Sequence, residues 1–214
     1  YVHRAKSFDE MNNISKANRA RLQDAYSLGL KAPIKEQRSV DGTAKYLFGV
    51  GDGQAVESVY IPDDDRATLC ISSQKGCRMN CHFCMTGKQG YHGNLTANQI
   101  INQVLSVPES ESLTNVVFMG MGEPMDNYDA VVKVIEVLTA KWGFAWSPKR
   151  ITVSSIGKLT ELKRLIDSTS VHIAISVHSP FHRERLQLMP VENAFPIDDL
   201  MTLLANYDFA HQRR

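Results

Sequence analysis

The sequence predicts an α/β fold: strand–helix units building a parallel sheet, preceded by a short helical segment and a small antiparallel meander. Three observations carry this. From residue 66 onward, short apolar runs alternate with amphipathic stretches, as in "NVVFMGMG" followed by "NYDAVVKVIEVLTAKWG". Between 31 and 65, short, partly alternating runs are separated by "DG" and "GDG", which favour hairpin turns. Before that, apolar residues recur near the helical period. The chain therefore divides into 1–30, 31–65 and 66–214.

Residues 1–30 read as helical, with Met11, Ile14, Leu22, Ala25 and Leu28 on one stripe. Arg4, Lys6, Lys16, Arg19 and Arg21 make this segment basic; a solvated face is the plain reading and an RNA-facing patch the sharper one. "IKEQRSV", "AKYLFGV" and "AVESVYI" are the three meander strands. Four parallel strands follow, at "ATLCISS", "NVVFMGMG", "RITVSSIG" and "VHIAISVHS". The helices between and after them are "TANQIINQVLSV", with Thr96 as N-cap, then "NYDAVVKVIEVLTAKWG", "KLTELKRLIDS", "RERLQLM" and "IDDLMTLLANYDF". Ligand sites in such sheets gather beyond the carboxyl ends of the strands.

With 43% apolar and 22% charged residues the chain can build a packed core without staples. Its longest apolar runs are far too short to span a bilayer, and "YVHRAKSFDEM" has no apolar signal region, so the expected setting is the cytoplasm, with no membrane partner. The formal charge of +1 does not announce nucleic-acid binding. All four cysteines lie in "CISSQKGCRMNCHFC", residues 70–84, and the expected compartment argues against structural disulfides.

Cys77, Cys81 and Cys84 form a C-x3-C-x2-C group in the loop after the first parallel strand. Three thiolates at this spacing can hold three irons of one [4Fe–4S] cluster and leave the fourth iron open to a small molecule. S-adenosylmethionine (SAM) can chelate that iron through its amino and carboxylate groups, and an electron from the cluster then cleaves its sulfonium to a 5′-deoxyadenosyl radical. Phe83, beside the last ligand, can pack on the cluster and the adenine of SAM, or simply in the core. The alternative is zinc, with His82 or His92 as fourth ligand, in an RNA-binding module without redox chemistry. Cys70 sits on the strand itself and is poorly placed as a ligand. It can be a base, a partner in a transient disulfide, or a small buried hydrophobe.

"CISSQKGCRMNCHFCMTGKQGYHGNLTANQIINQV", "GMGEPMDNYD", "ITVSSIG", "IAISVHSP" and "RERLQLMPVE" together, in this order, resemble the RlmN/Cfr family of radical-SAM RNA methyltransferases over nearly the whole chain. The resemblance implies a partial (β/α) radical-SAM barrel, one three-cysteine [4Fe–4S] cluster per chain, SAM, and a low-potential electron donor such as flavodoxin. It implies methylation of an adenine of 23S rRNA, at C2 in RlmN-type members and at C8 in Cfr-type members. Some members also modify an adenine in the tRNA anticodon loop. C2-type members are the commoner, so C2 is the expectation. One SAM methylates a cysteine near the protein's C-terminus, a second supplies the radical that abstracts hydrogen from that methyl group, and a further cysteine resolves the protein–RNA adduct through a transient disulfide.

On the matching positions, the resemblance makes Cys77, Cys81 and Cys84 the cluster ligands, Cys70 the resolving cysteine and Glu57 a proton acceptor. Gly122, Glu123, Ser154, Ser176, Val177 and His178 become SAM contacts. A glycine lets the backbone approach a ligand, and a carboxylate can take an amino group. The family's methyl-carrying cysteine has no counterpart here, since no cysteine follows Cys84. The chain is therefore expected to be a truncated piece that binds the cluster and SAM without completing methyl transfer. Lys149, Arg150, Arg213 and Arg214 join the basic N-terminal segment as candidate RNA contacts.

Overall fold

The structure is a computed structural model describing residue 1 and residues 3–209, so Arg213 and Arg214 lie outside the described residues. Within the expected N-terminal helical segment, 1–30, the helix occupies only the second half. α1 spans Lys16–Ala25, capped by the Ser15 hydroxyl accepting from the Asn18 amide, and buries none of its residues. Residues 5–14 hold no helix and run mostly through bends and turns. A single stripe without a packed partner does not sustain a longer helix.

The meander forms from β1 (Lys35–Arg38), β2 (Ala44–Gly51) and β3 (Gln54–Asp63), paired antiparallel in order. It continues without a break into β4 (Arg66–Cys70), which pairs antiparallel with β3. After β4 comes a hairpin absent from the sequence expectations, β5 (Gln74–Gly76) with β6 (Tyr91–Asn94). It brackets the three-cysteine loop and the one-turn helix α2 (Met85–Lys88). The strand–helix alternation then runs α3 (Ala97–Ser106), β7 (Asn115–Phe118), α4 (Tyr128–Thr139), β8 (Ile151–Ser155), α5 (Leu159–Ser168) and β9 (His172–Ile175). α6 (His182–Leu188) and α7 (Ile197–Ala205) follow. Strands β4, β7, β8 and β9 are parallel, and the main sheet reads β1-β2-β3-β4-β7-β8-β9. Meander and parallel half are thus one seven-stranded sheet, a mixed α/β fold with the features of a partial barrel.

Thr96 caps α3 as expected, and its side chain and that of Gln99 satisfy each other's backbone amides in a full capping box. One face of the sheet is packed by helices. There Tyr46, Phe48, Val56, Leu69, Val116, Phe118, Ile151 and Val153 are 0–1% exposed. Each apolar side chain so buried stabilises the fold by about 1.5–3 kcal/mol.

The opposite face is set by strand alternation and register. Glu57, Val59, Thr68, Cys70, Val117, Thr152, Ser154 and Ala174 share it, and every one is only half-buried. This open face, and the loops at the carboxyl ends of the parallel strands, position the site. Among the described residues no helix is long and apolar enough to cross a membrane.

Candidate active site

The cysteine loop is built by the residues between and beside the three cysteines. Gly76 enters it at φ +75°, and any Cβ there would stand 1.8 Å from the Gly90 carbonyl oxygen, so only glycine lets β5 and β6 meet. The Cys77 amide donates to that same carbonyl. Met79 is buried against Ile156 and Met189. The His82 amide donates to the Leu188 carbonyl, and its ring Nδ1 lies 2.6 Å from the Gln187 carbonyl oxygen. The Phe83 ring stacks tilted on His178 with centroids 4.4 Å apart. His178 adopts φ +58°, a left-handed conformation uncommon outside glycine.

Cys77, Cys81 and Cys84 are half-buried and near enough for each to raise the charge cost of Cys77. Burial pushes the Cys77 thiol up to about 11, and the charges of Glu123, Cys81 and Cys84 act in the same direction. Burial, then the neighbouring Cys84, also raises Cys81. Three thiols on one loop are the donor set of a [4Fe–4S] cluster with one open iron. Of the two histidines weighed as a fourth ligand for zinc, His82 has its Nδ1 on the Gln187 carbonyl oxygen and His92 has its Nε2 on the Gln89 carbonyl oxygen, 2.9 Å away.

Glu123 stands near Cys77 and Cys81, 3% exposed, with no basic side chain on its carboxylate among the described residues. Oε1 accepts from the Met125 amide at 3.2 Å and Oε2 from the Ile156 amide at 3.1 Å; the Ser155 hydroxyl is a third donor. Burial outweighs these donors and pushes the carboxyl up to about 7. A carboxylate offers about four acceptor sites, so one remains for a cationic ligand. Gly122, at φ +99°, is demanded first by the protein. A Cβ there would lie 2.5 Å from Gln74 Cβ, and Gln74 Oε1 accepts the Glu123 amide at 2.8 Å.

Ser154 lies on the open face near the end of β8. Ser176 and Val177 follow the end of β9, where the Ser176 amide donates to the Ser155 carbonyl. Cys70 and Glu57 share the open face as diagonal neighbours, since Cys70 faces Val59 across the β3–β4 pair. Burial pushes the Cys70 thiol up to about 11. Glu57 is half-exposed and paired with Lys45 at 3.1 Å. The structure thus gathers the cysteine loop, Glu123, Ser154 and Ser176–His178 at one end of the parallel strands, and sets Cys70 and Glu57 on the adjoining open face.

Several participants carry no signal in sequence. Gln74, Ser155 and Asp126 read as ordinary polar residues. Arg185 reads as one charge on a surface helix, yet it is fully buried. Besides its ion pair with Glu192, its guanidinium donates to the carbonyls of Ile156, Ser176, Val177 and Phe195. The basic N-terminal residues are partly spent within the fold. Arg4 lies 4.9 Å over the Phe144 ring and donates to Ser110, and Arg19 donates to the Asp9 carbonyl.

Three comparisons bear on this arrangement. A family model described as the Radical SAM superfamily matches residues 71–210. The chain is 59% identical over 214 residues to a protein of Parabacteroides distasonis named probable dual-specificity RNA methyltransferase RlmN, and 58% identical to one of the same name from Bacteroides thetaiotaomicron. Both matches cover the whole of this chain and 62% of the relative. A dual-specificity RNA methyltransferase RlmN of Desulfosudis oleivorans is 40% identical over 219 residues, with 59% of its length covered. The crystal structure of a radical SAM methyltransferase from Sphaerobacter thermophilus superposes with a TM-score of 0.88 at 36% identity, over 95% of this chain and 62% of that one. The chain therefore spans about three-fifths of the length of the curated relatives it matches. With the family model covering well over half of the chain, the chain belongs to the radical SAM superfamily, whose cofactors are a [4Fe–4S] cluster and SAM.

Proposed function

We propose that this chain supplies the cluster thiols, the SAM site and the resolving cysteine of an RNA methyltransferase of the RlmN type, acting on C2 of an adenine in 23S rRNA and, as the family resemblance implies, on an adenine in the tRNA anticodon loop. The observation that carries the reading is the juxtaposition of the three-thiol loop with buried Glu123 beside an open sheet face holding Cys70 and Glu57.

Cys77, Cys81 and Cys84 would hold the cluster, which with bound SAM supplies a one-electron route to a hydrogen-abstracting radical. Glu123 receives the ammonium of the methionine moiety on its remaining acceptor site, recovering part of the charge cost of its burial. Phe83, stacked on His178, offers a flat apolar surface for the adenine. The half-buried sheet face admits a flipped-out base. There Cys70 is held as a neutral thiol, and the adjacent Glu57 carboxylate is the acceptor for a proton released from the substrate base. The electron donor is a soluble low-potential carrier of the flavodoxin kind, and RNA substrates of this type place the protein in the cytoplasm.

The test uses two preparations loaded with iron and sulfide without oxygen: residues 1–214, and the same chain extended by the remaining C-terminal segment of the Parabacteroides distasonis relative. Both receive methyl-labelled SAM, a reductant and a 23S rRNA fragment. The expected result is reductive cleavage of SAM by both and label on adenine C2 with the extended chain. Label at C8, or SAM left intact by preparations that hold about four irons per chain, overturns the proposal.

A further inference from the structure

Asp126 lies three residues beyond Glu123, in the 3-10 turn Pro124–Asn127, and its carboxylate is only 5% exposed. Two cations from different loops meet on it. Lys158 Nζ, from the loop after β8, sits 2.6 Å from Oδ1. Arg78 Nε, from the residue directly after Cys77, sits 2.8 Å from Oδ2. Oδ2 makes no hydrogen bond of good angle, so its compensation is the Arg78 charge.

The surroundings fix Arg78 in that place. Its guanidinium lies 4.6 Å over the ring of Tyr91 on β6. Tyr91 donates its hydroxyl to Asn94 Oδ1, and Asn94 Nδ2 donates to the Asp126 carbonyl, which closes the ring of contacts. The second half of the cysteine loop is tied elsewhere, through His82 to the last carbonyls of α6. The first half is held by the Cys77 amide on the Gly90 carbonyl, by Met79 in its small core cluster and by the Arg78–Asp126 pair.

We propose that Asp126 is a positioning residue: through Arg78 and Lys158 it holds the Cys77 end of the cysteine loop against the loops that follow β7 and β8, so that the thiols face Glu123 before any cluster is present. This rests on the reading of Cys77, Cys81 and Cys84 as cluster ligands. The physical case is an asymmetry of burial. The shared carboxylate is desolvated and needs both cations, whereas Arg78 is 54% exposed and can return to water when the carboxylate is removed. Loss of the charge at 126 therefore frees the loop and leaves the sheet intact.

The experiment compares wild type, Asp126→Asn, Arg78→Gln and the double variant by amide hydrogen exchange on the cluster-free chain. The expected outcome for either single variant is about fivefold faster exchange in residues 77–84, the scale of one partly exposed ion pair, with residues 44–63 unchanged. The double variant exchanges no faster than the quicker single, because one pair carries the effect. Unchanged exchange at 77–84, or singles whose effects simply add, overturns the proposal. A second readout loads all four proteins with iron and sulfide and times iron loss to a chelator, expected about fivefold faster in the variants. A wild type that takes up no iron would overturn the ligand assignment, while the exchange data still decide the role of Asp126.

Discussion

Glu123→Gln is the perturbation that isolates the burial of an unpaired carboxylate. In the folded chain Glu123 titrates at about 7, against 4.5 for an ordinary glutamate. A raised carboxyl pKa means the native state holds the proton that the unfolded chain has already lost. Stability from this group is therefore full below pH 4.5 and is lost as pH rises through about 7. A displacement of that size corresponds to about 3 kcal/mol. The assay is urea unfolding of wild type and Glu123→Gln at half-unit steps from pH 4.5 to 8.5. The glutamine variant starts from a different stability, since its amide cannot accept from both the Met125 and Ile156 amides. The difference between the two curves is what counts, because shared titrations cancel in it. Wild type should lose about 3 kcal/mol relative to the variant between the ends of the range, with the change centred between the two pKa values. Parallel curves would refute the argument, and so would a difference of opposite sign. The functional corollary is direct: a ligand ammonium on Glu123 stabilises the ionised form, so SAM should bind more weakly as pH falls below 7.

Three further outcomes are expected. Replacing Cys77, Cys81 or Cys84 singly with Ala should abolish a stable cluster and its brown colour, whereas Cys70→Ala should retain about four irons per chain; iron analysis after anaerobic loading checks this. Gly122→Ala should destabilise by about 2–4 kcal/mol in urea, because the added methyl meets Gln74 at 2.5 Å and the backbone is at φ +99°. Thr96→Ala should destabilise by about 1 kcal/mol, the worth of an N-cap, with no change in iron content.

The parallel strands and their helices were legible because each has a strong period and a clear boundary. Thr96 and Gln99 mark the start of α3, and alternation with apolar burial marks β7 and β8. The Cys77–Cys84 loop was legible because thiols at fixed spacing have few other uses. Within the N-terminal helical segment the period does not mark the helix bounds, and the helix is confined to Lys16–Ala25. The apolar stripe has the right period, but α1 buries nothing, so packing never rewards the extension. The β5–β6 hairpin was invisible because its strands are short, polar and separated by the cysteine loop. Gln74, Asp126 and Arg185 could not be picked out, since their roles depend on partners 49, 48 and 29 residues away at Glu123, Arg78 and Ile156. Sequence spacing reports only what lies on one element.

The buried Cys70 thiol yields the last prediction, and it separates resting chemistry from reactive chemistry. Burial moves it from 9.0 to about 11, which lowers its thiolate fraction at pH 8 about a hundredfold. Nucleophilicity rises with thiol pKa along a Brønsted slope near 0.4–0.5, which restores about tenfold. The net expectation, before any limit on access, is alkylation by iodoacetamide about tenfold slower than that of an unperturbed cysteine. The measurement is best made with Cys77, Cys81 and Cys84 all replaced by Ser, so that one thiol remains. Its rate should climb about tenfold per pH unit and level off only near 11, whereas a free thiol levels off near 9. A plateau near 9 would mean that Cys70 is solvated and that its place on the sheet face does not restrain it. A plateau near 11 would mean that the thiol is silent at rest. It would then enter a thiol–disulfide exchange only through its small thiolate fraction, which rises with the pH of the medium.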